Sequence, residues 1–133
     1  YGTAYVGCVS QADPAHLVKT MMEAEAYDGP SIIIAYAHCI NHGISTLNGL
    51  AEQQKALDSG YWLLYSFNPD ATDKKFKFNK KPIKTTLADF AAGENRFKQL
   101  KKLAPESYDK IIEAGQRDIE YRIARYEAMA ENL

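Results

Sequence analysis

Gly29–Gly43 reads GPSIIIAYAHCINHG, a run of strand-forming residues that stops on a cysteine flanked by His38, Asn41 and His42. Ser31–Ala37 is almost uniformly apolar, the pattern of a parallel strand covered on both faces, which predicts a place at the centre of a sheet. In open α/β sheets, ligands bind in the crevice beyond the strands' carboxyl ends, where loops carry reactive groups on a rigid base. Cys39 sits at such an end and is the first candidate for chemistry.

Upstream, Tyr5–Ser10 (YVGCVS) is short and mixes β-branched with small residues, again as a buried strand does. Asp13 and Pro14 then announce a helix, the acid capping free amides and the proline taking the first helical position, where its missing N–H costs nothing. Leu17, Val18, Met21 and Met22 form one apolar stripe at helical spacing, predicted to lie on the sheet, and Asp28, Gly29 and Pro30 end the helix. Strand, helix and strand make a βαβ unit, which is right-handed with parallel strands in nearly all cases. That unit directs Cys8 into the body of the sheet and leaves Cys39 just past a carboxyl end.

Downstream, Leu47–Leu57 reads as a helix closed by Ser59 and Gly60, and Tyr61–Phe67 as an aromatic-rich strand stopped by Asn68 and Pro69. Asp70–Lys84 lacks a period and is rich in lysine, the signature of a surface excursion, with a short strand at Phe76–Phe78. Thr86–Phe90 and Glu94–Leu103 follow as helices, and Pro105 opens a long one carrying Tyr108, Ile111, Ile112, Ile119, Ile123 and Tyr126 on one face. Glu113 with Arg117 and Asp118 with Arg122 are four apart, which marks a solvated face. The expected class is α/β: a mainly parallel sheet, helices packed on it and a C-terminal helical tail, divided as residues 1–70, a surface excursion at 71–85, and the tail at 86–133.

The 133 residues suffice to bury about two-thirds of the unfolded surface. No apolar run approaches the roughly 20 residues of a membrane helix, and the first ten residues lack the features of a signal peptide, so no membrane partner is expected and the cytoplasm is the expected compartment. A chain that opens on Tyr1 and enters a strand almost at once is expected to be a piece of something longer. Residues 1–70 hold 2 lysines and 7 acids, whereas the remainder holds 14 basic and 10 acidic residues. That asymmetry is too small for a nucleic-acid footprint. Lys74–Lys84 (KKFKFNKKPIK) does interleave basic and aromatic residues as single-strand binders do, but as one short run it reads better as a solvated loop anchored by Phe76 and Phe78, and no nucleic-acid partner is expected.

A lone cysteine is by itself most often a small buried hydrophobe, and this reading covers Cys8. Cys39, as a thiolate, is also a soft ligand of the kind that holds iron-sulfur clusters. A reducing compartment argues for two free thiols. His38 and His42 beside Cys39 invite zinc, yet only three ligands lie close together where four are needed, so the histidines read as loop or cavity-lining residues and Asn41 as a partner of loop backbone. Asp13 and Asp28 suffice as cap and turn residues, and His16 as a surface residue.

Glu23–Ile44 (EAEAYDGPSIIIAYAHCINHGI), Ser59–Pro69 (SGYWLLYSFNP) and, more loosely, Gly93–Glu106 (GENRFKQLKKLAPE) together resemble the C-terminal part of the pyruvate:ferredoxin (flavodoxin) oxidoreductases. The resemblance implies the end of a thiamine-diphosphate-binding domain. In that family the cysteine of the CINHG-type loop, here Cys39, is the fourth ligand of a 4Fe-4S cluster, the other three coming from upstream. It also implies oxidative decarboxylation of pyruvate with coenzyme A to acetyl-CoA and CO2, and electron transfer to ferredoxin or flavodoxin by a homodimer. The GDG-type motif that holds thiamine diphosphate and Mg2+ is absent, so the segment alone is expected to bind neither and to be inactive. Ser45–Leu50 also lacks the family's usual GMG-containing loop. The alternative is a free-standing α/β binding or structural module without catalytic activity.

Overall fold

Asp13 and Pro14 act as their sequence dictates: the Asp13 carboxylate accepts the His16 amide at 3.1 Å and Pro14 opens α1 (Pro14–Ala26). In the computed structural model, which describes residues 2–133, α1 joins β1 (Tyr5–Ser10) to β2 (Ser31–Tyr36), and the two strands pair in parallel from Tyr5 opposite Ser31 to Ser10 opposite Tyr36. Tyr1, which opens the expected first range 1–70, lies outside the described residues. The chain continues through 3₁₀ turns at Ile40–His42 and Thr46–Asn48 to α2 (Gly49–Asp58), β3 (Leu64–Phe67) and β4 (Phe76–Asn79). Three further helices follow, α3 (Leu87–Ala91), α4 (Asn95–Leu103) and α5 (Pro105–Asn132). The α/β class holds.

Three details differ from expectation. First, the strand order is β2-β1-β3-β4, so β2 lies at an edge and β1 inside, with Ile32 53% and Ile34 42% exposed. An apolar run reports that a strand is to be covered; it does not report whether the covering atoms belong to the same chain. Second, the sheet is mixed, because β3 is antiparallel to β1 and β4 antiparallel to β3. α2 stays at the carboxyl end of β1, where Gln53 meets Ser10 and the Trp62 indole donates to the Val9 carbonyl at 2.9 Å. The chain therefore enters β3 from that end and has to run back. Third, the stripe on α1 faces outward, leaving Val18, Met21 and Met22 at least half exposed.

The side of α1 that meets the sheet is polar instead. Thr20 is 1% exposed, the Tyr5 hydroxyl donates to Glu23 at 2.9 Å, and the His16 ring, half-buried, lies 3.1 Å from the Cys8 carbonyl, so His16 reaches from the surface onto the sheet. Gly7 permits this approach, since a Cβ there would run into the Thr20 methyl and stand 2.9 Å from Ile33 Cδ1. Gly7→Ala is expected to cost about 1–3 kcal/mol by overpacking. The check is a lower urea midpoint at unchanged slope.

The excursion expected at 71–85 supplies β4, whose Asn79 amide donates to Asp13 at 3.0 Å while Lys81 pairs with the same carboxylate at 2.5 Å. Partial burial works against the charged form of Asp13, but Lys81, the His16 amide and Asn79 outweigh it and hold this carboxyl below the usual range. A depressed folded-state pKa stabilises the fold fully above the ordinary Asp value of about 3.9, and that contribution is lost as pH falls through the lower folded-state value. Asp13→Asn is accordingly expected to be less stable than the parent chain at pH 7 and to converge with it in acid unfolding below about pH 4.

On the opposite face of the sheet, Tyr126 of α5 packs edge-on against Tyr65, Phe76 and Phe78 at 5.3–5.6 Å. α3 is opened by a capping box between Thr86 and Asp89. Ala56, Leu87, Phe90 and Ile119 form a buried cluster joining α2, α3 and α5, and Tyr36, Tyr61, Trp62 and Phe97 pack against it. The helical tail is thereby tied to the carboxyl end of β2.

Candidate functional site

Two residues past the end of β2 the chain reaches His38 and Cys39. Cys39 is half-buried and a free thiol, and its carbonyl accepts the His42 amide at 2.9 Å to start the 3₁₀ turn Ile40–His42. Gly43 closes the turn with φ +70°, a conformation glycine adopts without penalty, and a Cβ there would collide with the Asn95 side chain. The loop is thus shaped on one side by the start of α4.

His38 is fixed from α2. Gln53, 1% exposed, accepts the Ser10 hydroxyl at 3.0 Å and the Gln11 amide at 3.2 Å through Oε1, which turns its Nε2 toward His38 Nδ1 at 3.2 Å. Nδ1 must then accept, leaving the proton of the neutral ring on Nε2. Gly49 backs the ring so closely that a Cβ would strike it. His38 is held against the first turn of α2.

His42 turns the other way, with Nδ1 3.7 Å from Glu94 Oε1. The Glu94 side chain has no exposed surface, and it accepts from the Tyr36 hydroxyl at 3.5 Å and, on its other oxygen, from Arg96 Nε. Arg96 in turn lies over the rings of Phe97 at 4.6 Å and Tyr61 at 5.5 Å. Burial, then the neighbouring Glu94, pushes the Tyr36 hydroxyl well above its ordinary pKa, so it remains a hydrogen-bond donor. Cys8 is different in kind from Cys39: it is 6% exposed, and burial alone pushes its thiol up to about 12. A thiol so buried packs as a small apolar side chain.

Among the described residues, no three His, Cys, Asp or Glu side chains converge to hold a metal ion. The histidines beside Cys39 diverge, His38 toward Gln53 and His42 toward Glu94, so the loop offers a single soft donor. No family model matches the chain. Against curated proteins, it is 40% identical over 135 residues to the pyruvate:ferredoxin oxidoreductase of Moorella thermoacetica, covering 98% of this chain and 12% of that protein. The chain is homologous to one segment of the pyruvate:ferredoxin and pyruvate-flavodoxin oxidoreductases. It is also 39% identical to the pyruvate-flavodoxin oxidoreductase of Trichormus variabilis, of which it spans 11%, and 41% identical to the mitochondrial pyruvate dehydrogenase [NADP(+)] of Euglena gracilis, of which it spans 8%. The chain spans about a tenth of the length of these relatives.

Within this segment, the sequence located Cys39 at a carboxyl strand end and the structure places it there. The flanking histidines, expected to line a loop or cavity, act as anchors of the loop to two different helices. Nothing in the sequence marks Gln53, Glu94 or Arg96 individually as part of the site. Glu94 and Arg96 lie inside GENRFKQLKKLAPE, whose loose resemblance was their one signal, and Gln53 had none, because burial of a polar helix residue leaves no trace in hydrophobic periodicity. One half-buried cysteine at the rim of a sheet suits one corner of an iron-sulfur cluster and cannot hold one alone. For Mg2+ and the diphosphate it would bind, the described residues offer no group of three or more acidic, histidine or cysteine ligands.

Proposed function

We propose that this chain is the C-terminal part of the thiamine-diphosphate-binding domain of a homodimeric, cytoplasmic 2-oxoacid oxidoreductase, and that Cys39 gives one thiolate to a 4Fe-4S cluster whose other ligands lie outside the segment. The full enzyme converts pyruvate and coenzyme A to acetyl-CoA and CO2, releasing one proton and two electrons, which leave singly for ferredoxin or flavodoxin. When bound, the cluster supplies one-electron acceptance and release. The chain's own residues shape the site: the Cys39 carbonyl and the His42 amide close the turn, His38 and Gln53 pin it to α2, and Tyr36 and Glu94 pin it to the tail.

The observation that carries this reading is the half-buried thiol at the carboxyl end of a parallel strand, in a chain matched along 98% of its length by such oxidoreductases. The alternative of a free-standing module sits poorly with the outer edge of β2, unpaired among the described residues, where exposed Ile32 and Ile34 flank open backbone groups. A free-standing protein avoids a flat apolar edge, which invites aggregation. The full-length protein is expected to reduce ferredoxin or flavodoxin when given both pyruvate and coenzyme A. Reduction that proceeds equally without coenzyme A would contradict the assigned reaction.

A further inference from the structure

An acid side chain withdrawn completely from water requires partners that offset its desolvation. Glu94 precedes α4 in the N-cap position, yet its side chain bonds none of the helix amides. It faces the cysteine turn instead, with one oxygen toward His42 and Tyr36 and the other on Arg96. The stack of Arg96 on Phe97 and Tyr61 fixes the guanidinium, and Asn95 fills the space beside Gly43. Successive residues at the start of α4 therefore contact both His42, whose amide bonds the Cys39 carbonyl, and the glycine that closes the turn. Arg96 Nη2 and His42 Nδ1 are buried without a hydrogen-bond partner, so this cluster is not saturated by its own members.

We propose that Glu94 and Arg96 are positioning residues for Cys39, their ion pair fixing the turn through His42 and Tyr36 and setting the local charge felt by a cluster bound at Cys39. The inference rests on the cluster reading above. As a pair the two side chains nearly cancel; with either neutralised, the other stands uncompensated, Glu94 withdrawn from water and little screened, Arg96 partly open to it and screened more. Cluster potentials respond to such charge, since positive surroundings favour the added electron and negative ones oppose it.

Redox titration of the full-length protein, followed by electron paramagnetic resonance at the signal that Cys39→Ala abolishes, tests this. Glu94→Gln is expected to shift the midpoint potential upward and Arg96→Gln downward, with iron content retained in both. Opposite shifts are not what a merely loosened loop would give, since loosening moves both variants the same way. Shifts of one sign, or none, would overturn the inference. Should Glu94→Gln fail to fold, Arg96→Gln decides alone: a lowered potential supports the inference, and an unchanged or raised one overturns it. If Cys39→Ala retains its full iron content, the cluster reading itself falls, and the inference with it.

Discussion

Glu94→Ala is expected to destabilise the fold by about 3 kcal/mol, because removing one member of a buried ion pair leaves the other uncompensated. The lower end of the usual range applies, since the Arg96 side chain is 35% exposed and water can reach part of it. The loss extends beyond the pair. Tyr36 loses its acceptor at the end of β2 and His42 its neighbour in the turn, so the carboxyl end of the edge strand keeps its aromatic packing on the tail but loses its polar tie to it. Urea unfolding measures the cost. Adding Arg96→Leu to the same chain is expected to recover part of it, because the two residues act as a unit and their effects do not add. A cost below about 0.5 kcal/mol, the range of ordinary surface substitutions, would mean that Glu94 does not tie the loop to the tail.

Cys39→Ser carries the largest expected functional effect. A serine oxygen is a hard donor and a poor substitute for thiolate on an iron-sulfur cluster. On the proposed reaction, pyruvate-dependent reduction of ferredoxin or flavodoxin by the full-length protein is expected to fall to background, while pyruvate binding stays near its original strength. The separation follows from position: Cys39 lies on a turn held by His38, His42 and Gly43, and the substitution exchanges the proposed ligand atom without disturbing those anchors. The same substitution at Cys8 is expected to act on stability instead, since that side chain lies in the sheet with its thiol protonated. Loss of pyruvate binding in Cys39→Ser, with cluster content intact, would assign Cys39 to the substrate pocket.

What the sequence revealed and what it hid divide along the range of the interactions involved. Asp13 with Pro14 marked the start of α1, Gly60 the end of α2, and YVGCVS followed by SIIIAYA marked a parallel βαβ pair, because capping, left-handed glycine conformations and strand patterning are local. The edge position of β2 was not legible. SIIIAYA is written for a strand with neighbours on every side, and a sequence cannot say that one of those neighbours is missing among the described residues. Nor did the stripe Leu17, Val18, Met21 and Met22 reveal its direction: periodicity identifies an apolar face, and here the sheet took the polar one through Thr20, Glu23 and His16. Antiparallel β3 followed from where α2 ends relative to β1, a distance set by tertiary contacts of Gln53 and Trp62. At the site, Cys39 was legible from its place after a strand, and Glu94 was not, since only the fold brings a residue 55 positions later against the same turn.

The most direct test of the central claim is the iron and acid-labile sulfide content of the anaerobically purified full-length protein, compared with its Cys39→Ala variant. The account predicts the loss of about one 4Fe-4S cluster per polypeptide from the variant; an unchanged iron and sulfide content would contradict it and return Cys39 to an ordinary loop thiol.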